Sequence, residues 1–282
     1  YSKSVLEYIN TVLEYIKTVL EYIKTILEYT KTLFEYSKTV LEYIKTVFEY
    51  SKTILVTGGD GRFSKILRTL KSKYKFIFVN KKKLDITNIN SIKKCINKTK
   101  PNYVLHLAGL SRPMSLHETD INKSINLNII GTCNLVNKCN EKKIKLIYFS
   151  TSYVYPGTKG SYKETSPLLP WNNYAWSKLG GECAVQMYKN SLILRVCMTE
   201  KPFIHKSAYA NVKMNFIYHS DLAKIFIKLI NKNGVYNLGG KSQTVYDFVK
   251  KENKSVSKKY SKGEFPLDQT MNLNKLKKII NK

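Results

Sequence analysis

From residue 5 to residue 53 the chain places apolar side chains at four of every seven positions, in seven head-to-tail units resembling VLEYIKT. Glu and Lys fall three apart on the opposite side. A period of seven suits a helix with a wide apolar stripe, and an odd repeat would turn a strand's faces over at every unit. The abundance of Val, Ile, Thr and Tyr, all strand-favouring, opposes that reading. From residue 54 the pattern changes. Short runs of β-branched and aromatic residues (54–57, 76–80, 101–109, 145–150 and 192–195) alternate with helical-looking stretches. This alternation predicts an α/β fold, a Rossmann-type doubly wound parallel sheet over residues 53–195. Helical patterns at 221–231, 244–251 and 272–281, with GVYNLGG at 234–240, predict a small substrate lobe over 196–282, interleaved with the sheet. Residues 1–52 stand apart as a low-complexity tract.

The first of these strands runs straight into a glycine-rich turn, ILVTGGDGRFS at 54–64. Gly58 and Gly61 suit a tight turn and a close backbone approach to a pyrophosphate, which the next helix would meet with its free N–H groups. The expected cofactor contacts from this segment are Thr57, Gly58, Gly59, Gly61, Arg62 and Phe63. A T-G-G-x-G string alone is weak evidence, because glycine turns are common.

Downstream, KLIYFS at 145–150 empties into Thr151, and Tyr174-Ala-Trp-Ser-Lys178 follows 23 residues later in a helical stretch. With 21 Tyr and 44 Lys in 282 residues, chance alone supplies about three Tyr-x-x-x-Lys matches. The chain has four, at Tyr155/Lys159, Tyr174/Lys178, Tyr209/Lys213 and Tyr246/Lys250, so the spacing by itself carries nothing. Only Tyr174 combines the upstream strand, the hydroxyl residue at its end and the helix. Should the glycine turn hold a nicotinamide dinucleotide, a ketone accepting its hydride would need a proton donor at its oxygen. A phenol with a pKa of about 10 exchanges poorly at neutral pH. Lys178, at i+4 on the same helix face, would lower it, and Thr151 would hydrogen-bond the same substrate oxygen.

Together the pieces TGGDG at 57–61, LDIT at 84–87, HLAG at 106–109, STSYVY at 150–155, YAWSK at 174–178, LILR at 192–195, NFIYHSDLA at 215–223 and GVYNLGG at 234–240 resemble the extended short-chain dehydrogenase/reductase family. The resemblance covers residues 53 to about 280, everything except the N-terminal repeat. It implies a nucleotide-sugar substrate, catalytic Thr151, Tyr174 and Lys178, and cofactor contacts from Leu107, Ala108, Gly109, Tyr174, Lys178 and, at the adenine, Asp85. The Asp-Glu pair that sugar dehydratases of the family carry after the catalytic Thr is Ser152-Tyr153 here, so dehydration is not expected. STSYVY and LDIT instead resemble the 4-keto-sugar reductases of the dTDP-4-dehydrorhamnose reductase type. The glycine turn and NIIGTCNL at 128–135 look more like epimerases, which remain the alternative. The family's third turn glycine is Ser64 here, which is expected to loosen the helix–strand contact.

Cofactor choice rests on the end of the second strand. Asn80 and then Lys81 stand where an acidic residue would bind the ribose 2′-hydroxyl of NAD. Basic neighbours favour a 2′-phosphate, so NADP is expected, with NAD the alternative. Arg62 could add a phosphate contact, and Arg112 and His205 are candidates to meet substrate phosphate.

The net charge of +28 raises nucleic acid as a partner, but only four basic residues are Arg and the lysines scatter, which argues against a dedicated nucleic-acid face. Through residue 52 seven Lys balance seven Glu, so the excess lies beyond the repeat. The five Cys and four His show no metal-ligand spacing, and no metal is expected. The cysteines read as buried free thiols of a cytoplasmic protein, with no apolar run long enough to span a bilayer. The repeat reads either as a stalk for a homo-oligomer or as a tandem duplication without a selected role. Two other classes compete with the enzyme: a non-catalytic nucleotide-binding protein and a coiled-coil interaction protein.

Overall fold

The computed structural model describes residues 2–50 and 52–281, with side chains described for 4–47 and 52–281. The chain divides into two compact units, Tyr1–Ser51 and Lys52–Lys282.

In the first unit the seven-residue period wins over strand propensity, giving one helix, α1 (Ser2–Tyr50). Its threonines are accommodated by bonding back to the preceding turn. Thr11, Thr18 and Thr25 each donate a hydroxyl proton to the carbonyl four residues earlier, at 3.0 Å. Lys17–Glu14, Lys38–Glu35 and Lys45–Glu42 pair at 2.6–2.8 Å along the polar side. Exposed pairs of this kind contribute only about 0.3–0.5 kcal/mol each. The apolar stripe, from Val5 to Val47, is exposed within the chain.

In the second unit β1 (Thr53–Thr57), β2 (Lys75–Val79), β3 (Tyr103–His106), β4 (Lys145–Thr151) and β5 (Ser191–Val196) form one parallel sheet with a sixth strand, Gly234–Leu238. The order is Gly234–Leu238, β5, β4, β3, β1, β2. Strand direction of travel reverses beside β1, which has β3 on one side and β2 on the other. Such a switch point leaves a crevice at the carboxyl ends of the strands.

The near-continuous apolar runs follow from burial of both faces. On one face Ile54, Val56, Leu105, Ile147 and Leu194 pack with Phe63 and Leu67 of α2 (Arg62–Thr69) and with Leu222 and Phe226 of the helix His219–Leu229. On the other, Leu55, Val104, Leu146 and Ile193 pack with Ile92 and Ile96 of α3 (Ile89–Thr99) and with Leu135 and Val185. A third apolar cluster, around Val154, Val212, Met214, Tyr246 and Val249, holds the carboxyl-terminal segments together. Short strand pairs join 198–199 to 217–218, 213–214 to 243–244 and 207–209 to 257–259.

Candidate active site

The glycine turn after β1 is defined by steric limits. Gly58 has φ +67°, and a Cβ there would stand 2.8 Å from the Ala108 backbone nitrogen. A Cβ on Gly59 would stand 2.8 Å from the backbone nitrogen of Val79. The turn is therefore wedged between the ends of β3 and β2. Gly61 precedes α2 and no side chain caps that helix. A free helix start facing a backbone without Cβ atoms suits a dinucleotide's pyrophosphate. Ser64 does not loosen the contact as expected. It is buried, and its hydroxyl donates to the Gly58 carbonyl at 2.9 Å, tying helix to turn.

Other expected cofactor residues separate into two groups. Thr57 spends its hydroxyl oxygen on the Leu107 and Ala108 N–H groups, at 3.2 and 3.1 Å, and lies 3.0 Å from His106. Its side chain thus shapes the end of β3. The Phe63 ring is buried against Phe149 and Phe226, so only its backbone belongs to the turn. A Cβ on Gly109 would stand 2.8 Å from the Asn128 amide oxygen. Asn80 lies just beyond β2, where its carbonyl accepts from Lys83 and Leu84. Asp85 is engaged locally, accepting from the Thr87 hydroxyl at 2.7 Å, with Lys81 3.9 Å away.

Thr151 ends β4. Its hydroxyl oxygen accepts from the Tyr153 N–H at 3.2 Å. Tyr174 stands near the start of the helix Asn173–Gln186, capped by Asn172. That helix packs very closely on the π-helical turn Ile125–Ile130. A Cβ on Gly181 would lie 2.5 Å from the Asn128 carbonyl oxygen.

Burial pushes the Tyr174 phenol up, while Thr151, Arg112 and Arg62 pull it back. The ammonium of Lys178, the lysine expected to do this, lies 4.1 Å from the centre of the Tyr148 ring. Burial brings Lys178 down to about 7, against the carboxylate of Glu182. In contrast, a chance match forms a direct contact, Lys250 donating to Tyr246 at 2.6 Å.

Thr151, Tyr174, Arg62, Arg112 and His205 share the wall of a cavity of about 540 Å³. Sequence reasoning missed four further groups. Tyr153 and His117 flank the Tyr174 ring at 6.2 and 5.2 Å between centres. Trp171 packs on Tyr153 at 5.0 Å. Glu200 bridges two arginines, 2.6 Å from Arg62 and 2.9 Å from Arg112. Nothing in the linear pattern of residues 198–202 marks Glu200, since its partners lie 138 and 88 positions away.

Residues 52–199, just over half of the chain, match the family described as RmlD substrate binding domain. A dTDP-4-dehydrorhamnose reductase of Aggregatibacter actinomycetemcomitans is 28% identical over 151 residues, 52% of this chain and 51% of that protein. A dTDP-D-glucose 4,6-dehydratase of Homo sapiens is 28% identical over 206 residues, 62% of this chain and 57% of that protein. The chain thus spans little more than half the length of these curated relatives. Among solved structures, a dTDP-4-dehydrorhamnose reductase of Bacillus anthracis in complex with NADP has the same fold. The TM-score is 0.72 at 23% identity, covering 80% of this chain and 91% of that one. With more than half its length matched, the chain belongs to the RmlD substrate binding domain family.

Proposed function

We propose that this chain is an NAD(P)-dependent reductase of a 4-keto-6-deoxy nucleotide sugar, with NADP preferred. The observation that carries this reading is that Thr151 and Tyr174 share the wall of the cavity that Arg62 of the glycine turn also lines. A nicotinamide cofactor held at the glycine turn would supply the hydride to the keto carbon. Tyr174 gives its phenolic proton to the sugar oxygen as the carbonyl becomes an alcohol, and the Thr151 hydroxyl donates to the same oxygen. Lys178 acts in its ammonium form, stabilising negative charge that develops on the phenol and helping to hold the cofactor ribose. The residues after Thr151 oppose dehydration. Ser152 is buried, and Tyr153 is packed among Trp171, Tyr174 and Phe265, so neither supplies the carboxylates that removal of water requires. The lobe at 196–282 contributes Phe203, Tyr209, Phe216 and Lys259 to the cavity and, in this reading, covers the sugar nucleotide.

The test is NADPH consumption with a panel of keto and hydroxyl nucleotide sugars. Net oxidation of NADPH by a keto sugar is the expected result. Interconversion of hydroxyl epimers with no net cofactor change would make the protein an epimerase and overturn the reductase reading.

The five cysteines are free of disulfides, but only Cys95, Cys139 and Cys197 are buried, while Cys133 is half-buried and Cys183 exposed; free thiols suit a reducing compartment, and we propose the cytoplasm. Among the described residues no helix is long and apolar enough to cross a membrane. The exposed stripe of α1 keeps a seven-residue period, the spacing of a helix that pairs with another helix, and a homo-oligomer joined through α1 is part of the proposal.

A further inference from the structure

We propose that Arg62 and Arg112 form a diphosphate clamp in the cavity and that Glu200 is its internal occupant, a carboxylate that yields its place when the ligand's diphosphate arrives. The clamp deepens the reductase reading, on which it rests for the ligand's identity but not for its anion chemistry.

The chain contains 44 Lys and only four Arg, yet two of the four meet at one carboxylate. They come from different elements. Arg62 opens α2 directly after the glycine turn, Arg112 lies in the loop after β3, and Glu200 follows the strand Met198–Thr199. Each guanidinium takes its own carboxylate oxygen, at 2.6 and 2.9 Å. This is the arrangement in which two guanidinium forks hold an oxyanion, and a diphosphate offers more such oxygens than a carboxylate.

Charge decides the exchange. One carboxylate leaves the pair of guanidiniums with a net positive charge, whereas a diphosphate with two or more negative charges satisfies both. The two arginine side chains are 43% exposed, so their bonds to Glu200 are partly screened and modest in strength. His219, which lines the same cavity, is lowered chiefly by burial and also feels all three groups, Glu200 raising it and the two arginines lowering it. The other two arginines serve the fold. Arg195 is buried on Glu182, and Arg68 bonds the Gly59 carbonyl and covers the Phe78 ring.

Two ligands of the proposed reaction carry a diphosphate, the dinucleotide and the nucleotide sugar, and the test separates them. Inorganic pyrophosphate is titrated calorimetrically into the full chain, into Glu200→Gln and into the triple variant Arg62→Gln/Arg112→Gln/Glu200→Gln. NADPH and dTDP are then titrated into the same proteins. Glu200→Gln is expected to bind pyrophosphate about tenfold more tightly than the parent, and the triple variant to lose that gain. A gain shared by NADPH assigns the clamp to the dinucleotide; one shared by dTDP assigns it to the nucleotide sugar. Equal pyrophosphate affinity in parent and Glu200→Gln overturns the proposal. So does a gain that survives in the triple variant, or one that neither NADPH nor dTDP shares. Should Glu200→Gln fail to fold, Glu200→Asp, with its carboxylate drawn back by one methylene, is expected to show an intermediate gain, and no gain there is equally fatal. A sugar panel that consumes no NADPH, with the pyrophosphate gain intact, would remove the reductase reading and leave the clamp.

Discussion

Tyr174 and Lys178 present a division of labour at the scale of single residues. The phenol is held up by burial, and Thr151 and two arginines act on it directly, while the lysine is held near neutrality. Tyr174→Phe removes only the transferable proton. Its keto-sugar reduction rate should fall by about 10²–10⁴, with NADPH affinity measured by fluorescence titration little changed. Lys178→Met should damage both rate and affinity. The pH dependence follows from sign. Because Lys178 is lowered to about 7, its ammonium is present below that pH and lost above it, so kcat/KM should decline as pH rises through about 7. A profile that stays flat well into the alkaline range in the parent protein would refute a working role for that ammonium. At Gly58 the geometry leaves no latitude. Gly58→Val forces a branched residue to φ +67° with its Cβ against Ala108, and NADPH binding should be lost.

At the scale of elements, α2 and α1 differ in what they need. α2 is docked on the sheet through Phe63 and Leu67 and stitched to its own turn by Ser64. Ser64→Ala keeps the Cβ and loses one hydrogen bond, so denaturant unfolding should show a loss of about 1 kcal/mol. Among the described residues, the apolar clusters of the sheet unit begin at Ile54. Removal of residues 1–52 should therefore leave a folded protein with unchanged NADPH affinity. Light scattering on the same truncation reads the oligomer: a drop to monomer mass supports assembly through α1, and an unchanged mass rules it out.

Across the second unit as a whole, one buried ionic network joins sheet, helix and carboxyl-terminal segments. Arg195 of β5 bonds Glu182 at 2.6 and 3.1 Å and donates to the Tyr155 hydroxyl at 2.8 Å. That hydroxyl in turn bonds Asn237 on the neighbouring strand, and Ser150 of β4 donates to the other Glu182 oxygen. Removing one partner leaves a buried charge alone. Arg195→Met and Glu182→Gln should each cost about 3–5 kcal/mol in chemical denaturation, and the double variant less than the sum of the two.

The residue pattern by itself determined the elements. Strands buried on both faces read as unbroken apolar runs, and a helix of period seven reads as such even when built from strand-favouring residues. Strand ends were legible where small or hydroxyl residues follow an apolar run, which is why Thr151 and the glycine turn stand out in one dimension. The same local logic located the helix that carries Tyr174. What only the tertiary structure decided are relations between distant segments. The Tyr-x-x-x-Lys spacing fixes a face of a helix, but only the packing of that helix sets the Lys178 ammonium over the Tyr148 ring. Phe63 belongs by position to the cofactor turn, and by orientation to the core. Asp85, expected at the adenine, also holds the Thr87 hydroxyl two residues on. Glu200 acquires a role only because folding brings Arg62 and Arg112 to it from 138 and 88 residues away. Periodicity and propensity act over a few residues, whereas electrostatics and burial act through space, and the electrostatic character of this site is set by the second.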